Sequence, residues 1–121
     1  HIYTPQSKHD LYSIGIRGDN VVYHDGIPYR EIHTLLLNAD ILFLPLAFCT
    51  PNARLLRNTS PQKMSDYLAA NKPILVHAPA NSFIAWYFNY YKCGLVVDCN
   101  SVASLESALI RLIDNPKLGT R

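Results

Sequence analysis

Lys63 and Asp66 stand three residues apart in the run Ser60-Pro61-Gln62-Lys63-Met64-Ser65-Asp66, a spacing that suits a ligand carrying both phosphate and hydroxyl groups. Ser60 is a residue type that caps helices, and Pro61 fits the first helical position, where its missing N–H costs nothing. A helix opening there leaves free backbone N–H groups at the positive end of its dipole, which together attract an anion. Lys63 falls in the first turn, where a cation opposes the dipole and weakens the helix. An anion between Lys63 and the N–H groups removes that conflict. Asp66 follows one turn later on the same face, and its carboxylate can accept hydrogen bonds from two vicinal hydroxyls, as on a ribose. Lysine for phosphate and aspartate for ribose make a nucleotide clamp. An ordinary surface pair worth about 0.2–0.5 kcal/mol fits the same two residues equally well.

Other candidates are less specific. Arg54 and Arg57 lie in the loop before this helix, where guanidinium groups suit phosphate oxygens, although simple solvation explains them as well. His24 and His77 close apolar runs and so fall near strand ends, but five scattered histidines lack the spacing of metal ligands. Asp25 beside Gly26 reads as a turn former. Cys49, Cys93 and Cys99 are odd in number and without paired spacing, so free thiols in a reducing cytoplasm are expected. Lys and Arg number 11 against 9 for Asp and Glu and are scattered along the chain, which argues against a nucleic-acid partner. The longest apolar stretch, Ile41 to Cys49, falls short of the roughly 20 residues of a membrane helix, leaving only peripheral attachment open.

The elements that must position these residues follow from hydrophobic periodicity. At 121 residues and 49% hydrophobic content, the chain is about one domain long and can bury a core. Short apolar runs predict strands over Ile2 to Thr4, Val21 to His24, Ile41 to Leu46, Ile74 to His77 and Leu95 to Val97. Helical spacing predicts helices over Tyr29 to Asn38, Ser82 to Lys92 and Val102 to Asp114, besides the one opened by Ser60. Ser101 is the expected cap of the last, Pro116 its stop, and Gly94 the expected left-handed end of the second. Trp86, Tyr87, Tyr90 and Tyr91 in that second helix suit core packing or a domain-facing surface better than a ligand-stacking box. The strands are nearly continuous in apolar residues, as in a parallel sheet covered by helices. The expected fold is therefore α/β, a Rossmann-like open parallel sheet of about five strands with helices on both faces. One connection is long, Ala47 to Thr59, and it lies at the carboxyl edge, where such sheets bind ligands.

The segment Ser60-Pro61-Gln62-Lys63-Met64-Ser65-Asp66-Tyr67-Leu68-Ala69-Ala70-Asn71-Lys72-Pro73-Ile74-Leu75 resembles the Pro-x-Lys, acidic-Tyr-Leu-Ala, Gly-Lys-Pro-Val run of retaining GT-B glycosyltransferases of group 1. Asn38-Ala39-Asp40 with the following strand and Pro45, Val22-Tyr23-His24-Asp25-Gly26, and Cys93-Gly94-Leu95-Val96-Val97 are similar to further elements of that family, in its order. The resemblance spans roughly Val21 to Pro116. It implies the C-terminal, nucleotide-sugar-binding half of a GT-B enzyme, a single domain over residues 1–121 that is incomplete at its N-terminus. The donor would be a nucleoside diphosphate sugar, no metal or other cofactor would be needed, and the acceptor domain would lie outside this chain. Peripheral membrane association of the whole enzyme is compatible with this.

By the same resemblance, Asp66 occupies the place of the ribose-binding acid, Lys63 and Ser60 face the diphosphate, and Gly26 with Ile27 borders the base. Asn58, Thr59 and His77 complete the expected nucleotide-sugar set, with Arg54 and Arg57 as further diphosphate contacts. Asn58 stands where the family often has a second acid, so no catalytic residue is assigned. Asn71 replaces the family's glycine before Lys72-Pro73, implying a left-handed residue that asparagine tolerates. Two other readings remain: a GT-B-like nucleotide-sugar epimerase, and a non-catalytic flavodoxin-like or receiver-like binding module. A receiver needs a lysine after the last strand, and Leu95-Val96-Val97-Asp98 supplies none.

Overall fold

The structure is a computed structural model that describes residues 1–49, 51, 54 and 62–120. All five predicted strands form: β1 (Ile2–Tyr3), β2 (Tyr23–His24), β3 (Leu42–Pro45), β4 (Ile74–His77) and β5 (Leu95–Val97). The described helices are α1 (Lys8–Ser13), α2 (Tyr29–Leu37), α3 (Gln62–Ala70), α4 (Phe83–Tyr91) and α5 (Val102–Asp114), followed by a short 3-10 turn at Pro116–Gly119. Every strand pairing is parallel. The strands divide into a pair, β1-β2, and a three-stranded sheet of order β3-β4-β5. The chain likewise forms two compact units, His1–Thr34 and the part from Leu35 onward.

In the first unit, Ile2 pairs with Tyr23 and Tyr3 with His24. Helix α1 was not expected from periodicity, because it buries one residue, Leu11. Its start is nevertheless written locally: the Asp10 N–H donates to Ser7 Oγ at 3.1 Å, and that hydroxyl donates to the Asp10 carboxylate at 2.7 Å. The Tyr23 hydroxyl donates to the Ile16 carbonyl and ties the segment after α1 to β2.

In the second unit, β4 is the central strand, and Ile74, Leu75 and Val76 are all buried in succession. Successive strand residues point to opposite faces, so both faces of β4 are covered. Leu75 and Val97 pack with Ala108 and Leu112 of α5, while α4 lies against β4 and β5 and α3 against β3. The expected cap at Ser101 forms, with Ser104 N–H donating to Ser101 Oγ at 3.2 Å, and Ser82 caps α4 in the same way, Ala85 N–H donating to its Oγ at 3.2 Å. Ser82 is itself buried, and its hydroxyl donates to the Pro79 carbonyl at 2.6 Å.

Asn71 is left-handed with φ of 53°, as its place before Lys72-Pro73 implied. The end of α4 differs from expectation. Lys92, not Gly94, adopts the left-handed cap, at φ 52° and ψ 42°. Gly94 serves a close approach instead, since a Cβ there would meet the Phe88 ring at 2.6 Å and the Ile74 carbonyl at 3.2 Å. A lysine in this conformation carries a steric penalty that glycine avoids. Lys92→Gly is therefore expected to stabilise the chain by about 0.5–1 kcal/mol, read as a raised urea midpoint at unchanged m-value.

Candidate functional site

Parallel strands place their carboxyl ends together, and Pro45, His77 and Val97 end β3, β4 and β5 along one edge. The helices that follow these strands begin beside that edge, so α3, α4 and α5 direct their N-termini to it. Two of these starts are closed by their own serines, Ser82 and Ser101. At α3 the first turn holds Lys63 and no acidic residue. Met64 and Ala70 are the buried residues that seat this helix. With Met64 turned inward, Lys63 is exposed and Asp66 half-buried. Three residues of helix rotate a side chain by about 300°, so Lys63 and Asp66 lie roughly 60° apart on one side of α3.

His77 ends the central strand within this edge. Its Nε2 lies 3.0 Å from the Cys99 carbonyl, which can only accept, so Nε2 carries the proton and donates. The ring is tilted against Phe48 with centroids 4.7 Å apart. Phe48 and the Cys99 carbonyl thus fix the imidazole, and neither partner was indicated by spacing, because both contacts cross between separate loops. On α3 itself, burial pushes the Tyr67 hydroxyl above the usual tyrosine range, keeping it protonated.

The remaining expected residues fall as follows. Gly26 and Ile27 belong to the first unit, where Gly26 is exposed and Ile27 half-buried. A Cβ on Gly26 would make only ordinary contacts with Pro5 at 3.6 Å, so glycine is not demanded by the backbone there. His24 stacks on Tyr3 with centroids 4.2 Å apart and meets His1 at 2.7 Å. Arg54 is exposed. Arg57, Asn58, Thr59 and Ser60 lie outside the described residues, as does the capping role of Ser60 and Pro61.

The family model described as "Glycosyl transferases group 1" matches residues 12–121. The chain belongs to this family. No curated protein and no solved structure matches it. As a group 1 glycosyltransferase sequence it is concerned with moving a sugar between a nucleotide-sugar donor and an acceptor in general. The match runs from the last two residues of α1 through the 3-10 turn, so the carboxyl edge of the three-stranded sheet is wholly within it. Among the described residues, no helix is long and apolar enough to cross a membrane.

Proposed function

We propose that this chain is the C-terminal, donor-binding half of a GT-B glycosyltransferase of the retaining kind, and that α3 holds the nucleoside diphosphate. The observation that carries the reading is Lys63, exposed in a first turn of α3 that contains no acidic residue. That position is unfavourable for the helix by itself and favourable once an anion lies at its N-terminus. Asp66, one turn on, takes the ribose hydroxyls. Asn58, Thr59, Ser60, Arg54 and Arg57 are the further residues assigned to the diphosphate. His77, held with Nε2–H on the Cys99 carbonyl, presents its other ring nitrogen to the donor sugar.

During transfer, the bond between sugar and diphosphate breaks and negative charge grows on the leaving phosphate. Fixed N–H donors and Lys63 bind that growing charge more strongly than the ground state, which lowers the barrier without a metal. The acceptor, and any base acting on it, belong to a partner domain across a cleft. By itself the chain binds nucleotide and turns over little.

Titration with uridine, guanosine and adenosine diphosphates, followed by backbone amide shifts, tests this directly. One of the three should move the amides of Gln62 to Asp66 and that of His77. If all three leave these signals in place on the folded chain, α3 is not a diphosphate site.

A further inference from the structure

A cleft of about 410 Å³ opens at the amino edge of the same three-stranded sheet. Its volume is within the roughly 300–1,000 Å³ range of small-ligand pockets. Ile74 and Cys93 contribute buried apolar surface, and Tyr67, Asn71, Lys72, Tyr87, Tyr91 and Thr120 contribute its polar groups. Ile74 and His77 stand at opposite ends of β4, about 10 Å apart at the rise of a parallel strand, so this cleft is separate from the edge assigned to the donor.

One wall continues into solvent as an aromatic strip. Tyr87 and Tyr91 have centroids 4.6 Å apart, Tyr91 and Tyr90 5.0 Å, and Tyr90 and Trp86 5.4 Å. Helix α4 is anchored by Ile84, Ala85 and Phe88, so these other rings are not needed for the core. Trp86, Tyr90 and Tyr91 are 51%, 68% and 41% exposed. Such rings offer flat apolar faces whose electron-rich clouds suit the C–H face of a sugar, and a tyrosine hydroxyl can hydrogen-bond at the ring edge. Asn71 and Thr120 add neutral donors and acceptors, and Lys72 is the cation of the lining. A concave site with polar groups on several walls fits a discrete hydroxylated ligand better than the flat surface of a bilayer.

We propose that this cleft is a second carbohydrate site, which binds an acidic saccharide with a sugar ring on Tyr87 and Tyr91 and its carboxylate at Lys72. It does not depend on the donor assignment. On a glycosyltransferase such a site holds a glycan chain away from the point of transfer, raising its local concentration there.

The test compares trigalacturonic acid with neutral maltotriose, each titrated into the chain while backbone amides and Trp86 fluorescence are followed. The acidic sugar should shift the amides of Tyr67, Asn71, Lys72, Tyr87, Tyr91 and Thr120 and bind at least about tenfold more tightly than maltotriose. Lys72→Gln should abolish that preference, and Tyr91→Ala should weaken both sugars about tenfold. Both positions lie at the surface of the cleft, and uridine diphosphate titrations of the variants should match those of the parent. Absence of shifts at the cleft, equal affinity for the two sugars, or variants that bind like the parent overturns the proposal. So does a Trp86 response to phosphatidylglycerol vesicles with none to either sugar, which makes the aromatic strip a membrane contact instead.

Discussion

Lys63→Ala should weaken nucleoside diphosphate binding by about ten- to a hundredfold and change nucleoside binding by less than about twofold, because hydrogen bonds to charged groups contribute about 1.5–3 kcal/mol. Isothermal titration with a diphosphate and its parent nucleoside reads both numbers from one protein. The same substitution should also make the free chain slightly more stable. It removes a cation from the positive end of the α3 dipole and introduces the best helix former, a gain of about 0.3 kcal/mol at this exposed position. Weaker binding with a slightly raised melting temperature is the pattern of a residue kept for a ligand at some cost to the fold. If Lys63 were only a surface partner of Asp66, its loss would lower stability or leave it unchanged and leave diphosphate binding intact. Asp66→Asn should behave differently, weakening nucleoside and diphosphate by similar factors, since its carboxylate is assigned to the ribose they share. Equal losses of nucleoside and diphosphate binding in Lys63→Ala would place Lys63 away from the phosphates.

The parts of this architecture legible in the sequence are those specified by neighbours along the chain. Strands β4 and β5 and helix α5 fall on their predicted residues because an unbroken apolar run or a 3.6-residue period fixes each locally. Ser101 was readable for the same reason, since a cap involves residues within one turn of helix, and Asn71 through the glycine it replaces in the resembling run. Helix α1 escaped because one buried leucine makes no period, although Ser7 and Asp10 carried its start signal. Helix α4 posed the opposite difficulty. Apolar or aromatic at nearly every position, it gives no clue to which side faces the sheet, and packing on β4 and β5 selects Ile84, Ala85 and Phe88. The candidate site divides likewise. Lys63 and Asp66 share a face by helical geometry alone, whereas the bond from His77 to Cys99 depends on the register of β4 against β5. The amino-edge cleft is less visible still, since Tyr67, Tyr91 and Thr120 are brought together only by the packed sheet and helices.

Gly94→Ala should destabilise the chain by about 1–3 kcal/mol, the usual effect of overpacking a filled core. The added methyl would stand 2.6 Å from Cδ1 of Phe88, whose ring is fully buried, and 3.2 Å from the Ile74 carbonyl oxygen. Neither neighbour can yield easily, because Ile74 is held in the central strand and the Phe88 ring has no solvent-facing direction in which to turn. Native chains of this size have about 5–15 kcal/mol of stability, so the loss would show as a large fall in urea midpoint at unchanged m-value. Phe88→Ala alone should lose more, about 3–5 kcal/mol, through the cavity it leaves. The informative comparison is the pair. With Phe88→Ala in place, the Cδ1 that obstructs the new methyl is gone, and adding Gly94→Ala should then cost much less than it does in the parent. Coupling of that sign is expected for residues in direct contact and would be absent if Gly94 were required for its backbone conformation. Backbone strain at Gly94 would not respond to the size of residue 88, so additive losses would reassign this glycine from packing to chain geometry. Lys92, whose φ is positive, would then no longer account by itself for the turn between α4 and β5.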